Sequence, residues 1–189
     1  MTPPSINEVA AYVTGIVRMV RDEPEGLQYL DLSAGGFWRS FWAFAYSLPA
    51  FLVFWTMDHL ARLTTDPEAQ ISIAFFIRSA AADAAGIVLA IAAVAVIARP
   101  LGISNRFVQW VVAGNWLSLP LAYAMAVVTL LSFGLFGQGG SILLLVVVLA
   151  ALVVAWRVAR VALAGDGLLA FGLLVLTELV FILTSVILG

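Results

Sequence analysis

Four residues set in apolar surroundings could do chemistry: Glu178, Asp83, Arg78 and Asn115. A carboxylate at mid-bilayer costs roughly 2.5–3.5 kcal/mol on insertion scales, so Glu178 is either protonated or turned toward a partner inside a helical bundle. Two chemistries follow. In the first, Glu178 and Asp83 line a proton or ion path that opens outward, with Thr177, Thr184 and Ser185 as further polar lining. In the second, Glu178 is neutral and hydrogen-bonds across helices to Asn115, while Arg78 snorkels to the interface and offsets Asp83. Arg78 and Asp83 are five positions apart, about 140° around a helix, so each is expected to meet a different neighbour.

Other constellations are poorer. Asp58 and His59 could bind a metal or move a proton at the outer surface, but they lack a third ligand, and a solvated helix end competes with that reading. The glycine-rich loop 134–140 has neither the lysine nor the strand–helix setting of a phosphate loop. All nine basic residues are arginine, which removes Schiff-base chemistry, and without cysteine there is no disulfide, thiolate metal site or iron–sulfur cluster. The single histidine rules out a bis-histidine haem within one copy. A net charge of −2 gives no grip on nucleic acid. The expectation is a non-enzymatic chain without cofactor or metal.

The elements that must position these residues are membrane spans. Hydrophobic residues make up 63% of the 189, charged residues 11%, and mean hydropathy is +1.10, far from a soluble domain. The apolar residues come in blocks of about 20, as bilayer spans require. Spans are expected at about 41–57, 71–98, 107–131, 142–164 and 168–188, with Pro49 kinking the first at its middle. At about 1.5 Å per residue from boundaries near Ala98 and Leu168, Glu178 lies roughly 15 Å in, Asp83 roughly 22 Å and Arg78 roughly 30 Å, at the outer interface.

Ahead of the spans, residues 1–40 form an interfacial segment with no sign of a cleavable leader. Ser5 and Glu8 have the spacing of a capping box, and Ile6, Val9, Ala10, Val13, Ile16, Val17 and Val20 then share a helical face opposite Asn7, Thr14, Arg18 and Arg21. Such a helix either docks on the bundle or lies in the interface as a lipid or partner sensor. Residues 22–26 form an acidic connector, and Gly35 and Gly36 interrupt the next amphipathic piece.

With five spans, Arg18, Arg21, Arg39, Arg99, Arg106, Arg157 and Arg160 fall on one side and Arg62 on the other, which puts the N-terminus in the cytoplasm and the C-terminus outside. Small residues recur every fourth position at Ala82, Gly86 and Ala90 and at Gly114, Ser118, Ala122 and Ala126, so spans two and three are expected to pack closely. Span four has no polar side chain over 143–154 and should face lipid or another subunit. The fold expected is therefore an all-α integral membrane protein, a five-span bundle (41–189) with a cytoplasmic amphipathic helix, N-in and C-out. The lysine-free, alanine-, valine- and leucine-rich composition suits a GC-rich bacterial genome and hence the inner membrane. The expected role is structural, assembly or membrane-organising, with the lipid bilayer and a protein partner or second copy as contacts; the alternative is a small proton- or ion-coupled transporter using Glu178 and Asp83.

Overall fold

Ser5 and Glu8 close a reciprocal cap: the Ser5 N–H donates to the Glu8 carboxylate at 2.7 Å and the Glu8 N–H donates to Ser5 Oγ at 3.3 Å. Helix α1, Ile6–Val20, starts from this cap, in a computed structural model that describes residues 2–63, 72–136 and 140–188. A 3-10 helix, Pro24–Tyr29, folds back on it, followed by α2 (Ala34–Ser40), α3 (Trp42–Tyr46) and α4 (Leu48–Arg62). Four long helices complete the chain: α5 (Ile73–Ala98), α6 (Phe107–Leu131), α7 (Gly140–Ala162) and α8 (Gly167–Leu188). No strand occurs among the described residues. The polar loop expected after Arg62 lies almost wholly outside them, as do residues 137–139 of the glycine loop.

Four helices are long and apolar enough to cross a membrane, and the bent pair Ala34–Tyr46 and Leu48–Arg62 adds a fifth when it is counted as one span. The single first span of 41–57 is thus corrected to a broken one, bent by 46°. The break falls at Ser47, whose hydroxyl donates to the Ala43 carbonyl at 2.9 Å. Pro49 sits in the first turn of α4, where a missing N–H breaks no helical bond. Gly35 and Gly36 do not interrupt a helix either. They form the first turn of α2, with the Gly36 N–H donating to the Ser33 cap at 3.0 Å.

Helix α1 docks on the bundle through most of its aliphatic face, with Val9, Val13, Ile16 and Val20 packed into the core, but rotated toward Tyr12 and Met19. Tyr12, Gly15, Ile16 and Met19 are buried, whereas Ile6 and Val17 are 87% and 43% exposed. Close approach sets this rotation. A Cβ on Gly15 would stand 2.6 Å from the Gly26 carbonyl oxygen and one on Gly26 would stand 2.4 Å from that of Gly15, so only glycines allow the two segments to touch. Tyr12 packs its ring 4.6 Å from that of Trp116, within a core that also holds Val112, Val158 and Ala162. Arg39 reaches back to Glu8 at 2.8 Å, and Asp22, held at φ 64° in the turn after α1, reaches Arg160 at 2.5 Å.

The long helices do not pair as the small-residue stripes suggest. Helix α5 packs chiefly on α8 and barely touches α6. Its stripe of Ala82, Gly86 and Ala90 is buried, and Gly86 makes room for Phe181, whose ring carbon would lie 2.7 Å from an added Cβ. On α6, Ala122 and Ala126 pack against Ala50 of α4, while Gly114 faces open space. The correction has a simple cause: spacing identifies a smooth helix face but not the neighbour that covers it. Helix α7, which has no polar side chain over 143–154, is the most exposed of the four, with 6% of its apolar stretch buried.

Candidate functional site

Helices α5 and α8 run antiparallel, with Val94 and Ala98 clustered beside Ala170 and Leu173 and Gly86 against Phe181. This register sets Asp83 about level with Thr184, six residues or roughly 9 Å along the axis from Glu178. The two carboxylates face different surroundings. Asp83 is half-buried and accepts the indole N–H of Trp55 at 2.9 Å. Trp55 is 9% exposed on α4, and a buried indole needs such an acceptor. The nearby tryptophans at helix ends masked this role, because interfacial anchoring explains most of them; the single indole in the body of α4 was the signal that the sequence offered.

Glu178 instead stands exposed on the wall of a half-open cavity of about 360 Å³. Ile87, Ala90 and Ile91 of α5 line one side, with Trp110, Gly114, Asn115 and Ser118 of α6 opposite. Ala155, Val158 and Ala159 of α7 and Thr177 and Phe181 of α8 also line it. The cavity exists because α5 leans on α8 and leaves α6 to α7 and α4. No described residue hydrogen-bonds or ion-pairs with the Glu178 carboxylate, and no arginine is on the wall.

The other polar wall groups turn their donors toward the protein. Asn115, 5% exposed, donates through Nδ2 to Ser40 Oγ at 2.8 Å, not to Glu178 as one reading of the sequence expects. Ser118 donates to the Asn115 carbonyl at 2.7 Å and Thr177 to that of Leu174 at 2.9 Å. What remains facing the cavity is rich in acceptors. Trp110 adds an indole, whose ring face attracts cations.

The remaining candidates scatter. Arg78 is exposed near the start of α5 and joins no other described residue by hydrogen bond or ion pair. Thr184 is buried and donates to the Val180 carbonyl of its own helix at 2.8 Å, and Ser185 is exposed. The continuous outward line of Glu178, Asp83, Thr184 and Ser185 is therefore not formed within the chain. Asp58 and His59 also part company. Asp58 pairs with Arg62 at 2.9 Å, while His59, far from being a solvated helix end, is 3% exposed with its ring 5.1 Å from that of Phe75. Neighbours on a helix point about 100° apart, so adjacency in sequence gave them no shared site.

Comparison of the chain with protein-family models, with curated proteins and with solved structures gives no match.

Proposed function

We propose that the chain is a non-enzymatic, five-span protein of the bacterial inner membrane, N-in and C-out, acting as a structural, assembly or membrane-organising component. One observation carries this reading: the intramembrane acids are separated, Asp83 under Trp55 and Glu178 in a cavity that Asp83 and Arg78 do not line. With no polar route joining these acids among the described residues, the helix faces are left to carry the role, and α7 offers a long apolar one. The orientation is supported by Arg157 and Arg160 lying beside the acidic connector at Asp22, with Arg39 on Glu8 at the same end of the bundle. The docking of α1 favours its structural role over a free sensor.

Native mass spectrometry from mild detergent tests the reading, together with photocrosslinkers placed at Leu145, Leu149 and Val153. A stable protein partner or defined oligomer crosslinked through α7 is the expected result. A bare monomer whose crosslinks reach lipid alone would sink it. Glu178 on an open cavity wall supports a second reading, a proton- or ion-coupled transporter. It requires flux in liposomes that Glu178→Gln abolishes without loss of folding, and wild-type liposomes with no flux of any tested ion would end it.

A further inference from the structure

The cavity between α5 and α6 is a site as well as a packing gap. We propose that it binds an amphiphilic amine taken up from the membrane, an apolar body bearing one cationic nitrogen, with Glu178 as the counter-ion. At about 360 Å³ the volume falls at the small end of the range for ligand pockets, roughly 300–1,000 Å³, and such pockets are mostly apolar with a few polar groups that fix orientation. The walls fit that description: aliphatic side chains on α5 and α7, and a narrow polar strip of Glu178, Thr177, Ser118 and Asn115.

The polarity of that strip selects the ligand. Ser118 and Thr177 direct their hydroxyl hydrogens into the protein and Asn115 uses one amide hydrogen on Ser40, so the two hydroxyl oxygens and the Glu178 carboxylate are left for an occupant. A positively charged ligand that brings hydrogen-bond donors satisfies them. An anion would meet a carboxylate with no arginine on the wall to offset it. The approach is lateral, since α5 and α6 scarcely touch. Glu178 lies roughly 15 Å inside the expected boundary, too deep for the nitrogen of a phospholipid headgroup that must keep its phosphate at the interface.

Gly114 provides the means to block the site without disturbing the fold, because nothing lies within 4 Å of an added Cβ there. The inference rests on the membrane placement in the proposed function and not on the assembly role. Loss of amine binding would leave capture through α7 standing, and a partnerless monomer would leave the amine site standing.

The test is calorimetric titration of the full chain in phosphatidylcholine nanodiscs with n-decylamine, against n-decanol as the neutral match and empty discs as reference. Expected are saturable decylamine binding at least tenfold tighter than decanol, a tenfold or greater weakening of the amine alone in Glu178→Gln, and loss of both in Gly114→Leu at a near-unchanged unfolding temperature. Equal affinity for amine and alcohol, undiminished amine binding in Glu178→Gln, or binding untouched by Gly114→Leu would each overturn it. So would displacement of decylamine by phosphatidylethanolamine, which would assign the nitrogen to a headgroup.

Discussion

At the end of the bundle that holds the N-terminal hairpin, Glu8 meets Arg39 at 2.8 Å and Asp22 meets Arg160 at 2.5 Å, with Arg157 at 4.0 Å and also donating to the Val20 carbonyl at 3.1 Å. In the body of the long helices, Asp83 has one donor, Trp55, and Glu178 has none among the described residues. The first region has several partly exposed pairs, each weakened by solvent screening. Its geometry is set by the backbone contact of Gly15 and Gly26. The second has few polar groups among long apolar helices, so a single partner decides whether a carboxylate is satisfied. Redundancy belongs to the charged end and specificity to the apolar middle.

That contrast is breakable by substitution. The largest effect belongs to Gly26→Ala, which forces a methyl to within 2.4 Å of the Gly15 carbonyl oxygen; overpacking of this kind should cost about 3 kcal/mol and release the hairpin, seen as a lower unfolding temperature. Next is Trp55→Phe, which keeps an aromatic six-membered ring but removes the five-membered ring with its N–H, leaving Asp83 without its donor at a cost of about 2 kcal/mol. In an Asp83→Leu background the same change should cost far less, and equal costs in both backgrounds would mean that the hydrogen bond contributes nothing.

Asp22→Ala removes the contacts to Arg160 and Arg157 and should lose about 1 kcal/mol in chemical denaturation. Asp22→Gly removes the same carboxylate but relieves the left-handed backbone at φ 64°, so it should lose less. If glycine proves worse than alanine, backbone strain is not part of the turn.

The smallest effect is a pH dependence of the α1 cap. The Ser5 backbone N–H first, and then Arg39, hold the Glu8 carboxyl at about 2, below its ordinary value near 4.5. A depressed folded value means stabilisation that is complete above about 4.5 and fades as the pH falls toward 2. Protection of the amides at the start of α1, taken relative to the intrinsic exchange rate at each pH, should fall as the pH drops through that window, and Glu8→Gln should abolish the dependence.

Much of this architecture is legible residue by residue. The Ser5–Glu8 cap is a local interaction across three positions, and the long apolar blocks of α5 to α8 are required by the bilayer whatever packs on them. The face of α1 was legible in part: Val9, Val13, Ile16 and Val20 pack into the core, while the contact across Gly15 and Gly26 leaves Ile6 and Val17 outside it. The site was half legible. Glu178 and Asp83 stand out as acids in apolar sequence, yet Trp55, Ser40 and Phe181 become their neighbours, or those of Asn115 and Gly86, only when distant helices meet.

By itself the sequence determined an all-helical chain with several membrane-compatible helices, most arginines at or near helix ends, and a few polar groups that had to be accounted for. These are consequences of composition and local spacing, which act within one helix. The tertiary structure alone decided that α5 leans on α8, that Asp83 is covered by an indole, and that Glu178 faces an open cleft. Lipid and protein interiors are equally apolar, so hydrophobicity cannot choose among helix partners. Shape does, here through the fit of Phe181 over Gly86, and that fit is what leaves α5 and α6 apart.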